Sequence, residues 1–105
     1  MTTAVVGGLQ DQATGWDGEV RPIYEQLQSE PRFLAGLDLV GHYSFSDFCI
    51  DLDDGCGDDF LPLDEAHAQI RTLTTAVLQH HLGMDDASAW LPPDWANLEW
   101  ASTGQ

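Results

Sequence analysis

The segment Asp51-Leu52-Asp53-Asp54-Gly55-Cys56-Gly57-Asp58-Asp59 sets five carboxylates and a thiol within nine residues, the densest run of chemically capable side chains in the sequence. Clustered carboxylates attract hard cations, so calcium is the first chemistry to test. Counted from Asp51, Gly55 falls at the fifth position, and Cys56 takes the sixth, where a calcium loop of the helix-loop-helix kind needs glycine. Pro62 then stands at the twelfth, where the bidentate carboxylate belongs. The register fails, and at most an adventitious divalent-cation site is expected.

Transition metals need His, Cys or carboxylate ligands that converge. His80 and His81 are adjacent, so on a helix they point about 100° apart, and His67 lies roughly 20 Å away along the same helix. His42 could meet Cys49 across a sheet, but a His beside a strand is more often structural. No metal site is expected. Cys49 and Cys56, seven apart, match neither a redox pair of the CxxC type nor half of a four-cysteine zinc site. Both are expected as free thiols, Cys49 as core filler and Cys56 with its thiolate disfavoured by neighbouring carboxylates.

No GxSxG elbow, Cys-His signature or phosphate-binding glycine loop occurs, and the Asp residues flanking Gly55 and Gly57 would repel phosphate. Paired carboxylates could in principle serve as acid and base, but a cleft for a glycosidase or nuclease exceeds what this chain can frame. The expectation is a protein that is not an enzyme and carries no cofactor.

Charge is the dominant signal: eighteen Asp and Glu stand against three Arg and no Lys, a formal net charge of -15. Such a field repels nucleic acid and anionic membrane, and it steers association towards basic surfaces with rates that fall as salt rises. It is also concentrated. Asp47, Asp51, Asp53, Asp54, Asp58, Asp59, Asp64 and Glu65 occupy one stretch that contains no basic residue. Two blander readings stand beside partner binding: a solvated face that maintains solubility, and adaptation to high salt.

The elements that would carry these side chains can be read from pattern. With 105 residues, one core is expected, and a hydrophobic share of 43% argues against wholesale disorder. Residues 1–18, with Gly7, Gly8, Gly15 and Gly18, read as a flexible arm ahead of a single domain at 19–105. Pro22 at a first helical position predicts a helix near 21–29, with a short further turn carrying Phe33 and Leu34 to Gly36. Period-two alternation predicts strands over 37–44 and 45–52, the second with Phe48, Ile50 and Leu52 facing inward and Asp47 and Asp51 outward. Residues 53–59 form the acidic loop, and Phe60-Leu61 a short edge strand ended by Pro62.

A long amphipathic helix is predicted over 64–82, with an apolar stripe of Ala66, Ile70, Leu73, Val77 and Leu78, Asp64 as N-cap and Gly83 as stop. The tail, with Trp90, Trp95 and Trp100, reads as one or two short helices. Trp90 and Trp95 are expected to be buried and Trp100 to be exposed as a partner contact. The fold class is thus α+β: an N-terminal helix or helix pair, two to three short antiparallel strands, one long helix and a Trp-rich C-terminal helix.

No run of roughly 20 apolar residues is present and the first residues lack a basic n-region, so neither a membrane span nor a signal peptide is expected and the cytoplasm is inferred. Taken together, these features predict a small acidic inhibitor whose carboxylates imitate a phosphate array on a basic protein surface, that of a nucleic-acid-binding protein or complex. In general character the chain resembles short acidic proteins of phage or mobile elements that block CRISPR or restriction machinery, a likeness of class from which no residue carries over. The alternative is an immunity protein or antitoxin that neutralises a basic toxin, and a divalent-metal-binding protein ranks third. The expected partner contacts are the eight acids from Asp47 to Glu65 together with Trp100.

Overall fold

The run Arg32-Phe33-Leu34-Ala35-Gly36-Leu37 is apolar on both alternating faces, the pattern of a strand covered on both sides. In the structure, a computed structural model describing residues 2–28, 30–48, 52–83 and 92–103, it is the central strand β2, Arg32–Leu37. Strand β1, Thr3–Gly8, pairs with it in parallel, and β3, Leu98–Thr103, in antiparallel fashion, giving the order β1-β2-β3. Between β1 and β2 the chain makes a π-helical turn, Trp16–Val20, that runs directly into helix α1, Arg21–Gln26. Helix α2, Leu63–His81, lies between β2 and β3 in the chain. The result is one small α+β domain with a mixed three-stranded sheet.

Strand alternation assigns each side chain to a face. Phe33, Ala35 and Leu37 of β2, with Val6 of β1 and Leu98 and Trp100 of β3, pack on the side of Ala66, Leu73 and Ala76 of α2. Leu34, Val5 and Ala101 take the opposite face, against Trp16, Val20 and Tyr24. The sheet is therefore sandwiched between two helical layers. Gly36 lets the Trp16 ring lie on β2, since a Cβ there would come within 2.6 Å of the indole. Across the sheet, the Tyr24 hydroxyl lies 3.0 Å from Thr103 Oγ1 and ties α1 to β3.

Helix α2 matches its predicted span to within a residue, because its stripe repeats at helical spacing. Its buried residues are Ala66, Leu73 and Ala76, with Ile70 and Val77 partly covered, whereas Leu78 is 56% exposed. Pro62 rather than Asp64 takes the N-cap position; Asp64 and Glu65 sit in the first turn, favourably placed against the helix dipole. Gly83, at φ 70°, ends the helix as expected.

Several expectations are corrected. Residues 3–8 of the expected arm form β1, where buried Gly7 and Gly8 permit close packing on Trp16 and Val40. The expected turn at Phe33 and Leu34 is β2, because a short apolar run without alternation fits a buried helical turn as well as a buried strand. Instead of a strand over 37–44, the chain leaves β2 through a turn with Leu39 at φ 62° and enters a 3-10 turn, His42–Phe45; of the strand expected at 45–52, residues 49–51, Ile50 among them, lie outside the described residues, and the described ones belong to this turn, a bend and a second 3-10 turn, Leu52–Asp54. Phe60 and Leu61 belong to a loop, in which the Leu61 N–H donates to the Leu39 carbonyl at 2.9 Å.

The described part of the tail, residues 92–103, ends in β3 and carries no helix: antiparallel pairing with β2 overrides local preference and puts Leu98 and Trp100 on the α2 face. Trp100 is accordingly half-buried, its ring 5.5 Å from that of Phe33, rather than exposed. Trp95 is partly buried against the same core, and Trp90 lies outside the described residues. Cys56 is disulfide-bonded and not a free thiol; Cys49, the only other cysteine of the sequence, lies outside the described residues. Among the described residues no helix is long and apolar enough to cross a membrane.

Candidate functional site

The acidic segment is built around one carboxylate that does not reach the surface. Asp54 is 4% exposed, and its Oδ1 accepts the backbone N–H groups of Gln12 at 3.1 Å and His42 at 3.0 Å. Charge-assisted bonds to backbone donors give an ionised carboxylate what it loses on leaving water. Asp54 is thus an internal strut, corrected from its expected place among the partner contacts. Its two donors come from the loop after β1 and from the turn after β2, so it joins three separate stretches of chain.

Further bonds hold the same frame. Ser44, fully buried, donates from Oγ to the Gly55 carbonyl at 2.7 Å and accepts the Gly41 N–H at 3.1 Å. Gly55, at φ 143°, occupies backbone space that other residues rarely adopt, and a Cβ there would come within 2.6 Å of the Ser44 nitrogen. Gln12 Nε2 donates to the Asp53 carbonyl at 2.7 Å, and the Gly57 N–H to the Leu52 carbonyl at 2.9 Å. His67 Nε2, from α2, lies 3.1 Å from the Ser46 carbonyl oxygen. Cys56 of this loop is disulfide-bonded.

What this frame presents is both acidic and apolar. Asp47, Asp53, Asp58, Asp59, Asp64 and Glu65 are exposed, and Asp51 lies outside the described residues. Among them stand Phe48, 78% exposed, and Leu52, 65% exposed, with Phe45 also partly uncovered. Alternation had predicted Phe48 and Leu52 to face inward. Because the segment is not a strand, its alternation carries no facing information, and both side chains project to solvent.

Two of the three arginines have ion-pair partners away from this segment. Arg21 approaches Glu25 at 4.0 Å and Glu99 at 3.9 Å, while Arg32 approaches Glu30 at 3.9 Å and lies over the Tyr24 ring. Arg71 sits in the middle of α2.

One pair was invisible to sequence reasoning. Asp11 Oδ2 lies 3.2 Å from His42 Nδ1, and Asp11 Oδ1 accepts the N–H groups of Ala13 and Thr14 at 2.9 and 2.7 Å. The carboxylate is held by its own loop and in turn orients the imidazole. This links the β1–α1 loop to the 3-10 turn that opens the acidic segment. A separation of 31 residues gives no local signal of such a pair. Among the described residues no group of three or more His, Cys, Asp or Glu side chains converges as a metal site would require. Comparison of the chain with known protein families, with curated proteins and with solved structures found no match.

Proposed function

We propose that this protein is a non-catalytic, cofactor-free inhibitor that docks its acidic loop on a basic, nucleic-acid-binding surface of a protein target, as anti-CRISPR and anti-restriction proteins of phage or mobile elements do. The observation that carries the reading is the exposure of Phe48 and Leu52 among carboxylates on a loop braced from within by Asp54. Apolar anchors ringed by charge are the composition of a binding hot spot, and a braced loop loses little freedom on docking. A face serving only solubility or salt tolerance has no use for an aromatic ring that is 78% exposed.

The same ring supports a second reading, an immunity protein or antitoxin, because a toxin pocket that accepts an aromatic anchor within a basic rim is equally complementary. The two readings differ in whether nucleic acid competes for the target.

The test is an affinity capture from host lysate at low salt with mass-spectrometric identification, run beside a variant with Asp53, Asp58 and Asp59 replaced by Lys. Recovery of a basic nucleic-acid-binding protein by the parent alone, displaced by nucleic acid, is the expected result. A partner retained equally by the variant sinks the loop assignment, and one indifferent to nucleic acid turns the choice to the toxin-neutralising reading.

A further inference from the structure

We infer that the outer edge of β1 receives an extended, basic and apolar segment of a protein partner as a fourth strand. This goes beyond the loop reading and stands on the main chain of β1, with Phe45 the residue that both surfaces share. Among the described residues β1 pairs with β2 on one side only. The Thr3 N–H donates to the Pro31 carbonyl at 3.1 Å and the Leu9 N–H to the Leu37 carbonyl at 3.0 Å, so the odd-numbered amides of β1 face β2. Successive backbone groups point to opposite edges, and those of Ala4 and Val6 therefore face outward. Among the described residues these outward groups have no strand partner.

Natural edges are usually blunted by charge, proline or a covering element. Thr3-Ala4-Val5-Val6-Gly7-Gly8 contains neither charge nor proline, in a chain where charged residues make up 20%. The edge is also bordered by grooves on its two sides, and Val6 lines both. One, of about 360 Å³, runs between β1 and α2 and is walled by Ala4, Leu73, Val77 and the exposed Leu78. The other, of about 490 Å³, lies at the C-terminal end of β1 and is walled by Val20, Asp11, His42 and Tyr43. Strand addition draws affinity from main-chain hydrogen bonds and specificity from pockets that take alternate side chains. Here the groove beside α2 takes apolar side chains, while in the other the Asp11 carboxylate is already held by His42, Ala13 and Thr14 and the wall is largely Val6, Val20, Tyr43 and Phe45.

Charge selects the occupant. A second copy of this chain would bring another net charge of -15 to the same edge, whereas a segment carrying Lys or Arg is attracted to it.

The test uses the intact protein and a synthetic capped peptide alternating Val and Lys, with hydrogen exchange and titration calorimetry as readouts. Binding should slow exchange at the Ala4 and Val6 amides. Affinity should fall at least about tenfold for the fully N-methylated peptide, for Ala4→Pro, which removes only an outward N–H, and for Leu78→Glu. Phe48→Ala, on the acidic loop, should bind the peptide as the parent does, which separates this site from the loop. The inference is overturned if the methylated peptide, or one with Glu in place of Lys, binds equally well. It is also overturned if Ala4 and Val6 gain no protection, if Phe48→Ala loses the peptide, or if sedimentation shows the free protein already paired through this edge.

Discussion

The acidic loop and the outer edge of β1 are opposite kinds of surface. In the loop the backbone groups of Asp53, Gly55 and Gly57 are used internally, and what remains for a partner is side chain: six exposed carboxylates and the rings of Phe45 and Phe48. Along β1 the side chains of Val5 and Val6 turn into the domain, and what remains is main chain. A side-chain surface of high charge gives rapid, salt-dependent and selective docking, while a strand edge gives directional bonding with little sequence preference of its own. Two surfaces of such different character respond to different perturbations, and that separation is open to experiment.

The largest effect is expected at the strut. Replacing Asp54 with Ala leaves the Gln12 and His42 N–H groups without their acceptor and should lower the unfolding free energy by about 3 kcal/mol in urea titration. Stability within error of the parent would mean that the loop is not braced through this residue. Gly55→Ala comes next: a side chain at φ 143° and 2.6 Å from Ser44 should cost about 2 kcal/mol, read as a lower denaturation midpoint. Exchange at Ala4, which lines the groove beside α2, should be unchanged in either variant under folding conditions.

Smaller in stability but decisive for recognition is Phe48→Ala. Being 78% exposed, the ring should contribute less than about 0.5 kcal/mol to folding. As an anchor, its removal should weaken the captured partner at least about tenfold, measured by calorimetry with the purified target. Equal affinity would reduce the loop to its charge alone. The smallest effect is expected from salt. With two buried clusters on opposite faces of the sheet, far-ultraviolet circular dichroism should keep its native form in dilute buffer. Loss of structure there would instead favour salt adaptation as the origin of the acidity.

Some of this was legible in the sequence. The span of α2 follows from Ala66, Ile70, Leu73 and Val77, whose spacing is a property of one helix and needs no partner. Pro22 and Gly83 likewise mark helix boundaries through their own backbone limits. The strands were harder. β2 is apolar on both faces and shows no alternation, whereas 38–48 alternates without being a strand. Period two reports a half-buried strand, and neither segment is one.

The concentration of acid between Asp47 and Glu65, free of Lys and Arg, is a fact of composition that folding does not alter, and the sequence alone determined it. Which of those carboxylates meet solvent was decided by tertiary structure. Asp54 turns inward because donors from residues 12 and 42 converge on it, and the neighbouring Asp53 stays outside. The exposure of Phe48 and the open edge of β1 have the same origin: burial depends on what other parts of the chain bring to a position, and local pattern holds no record of that.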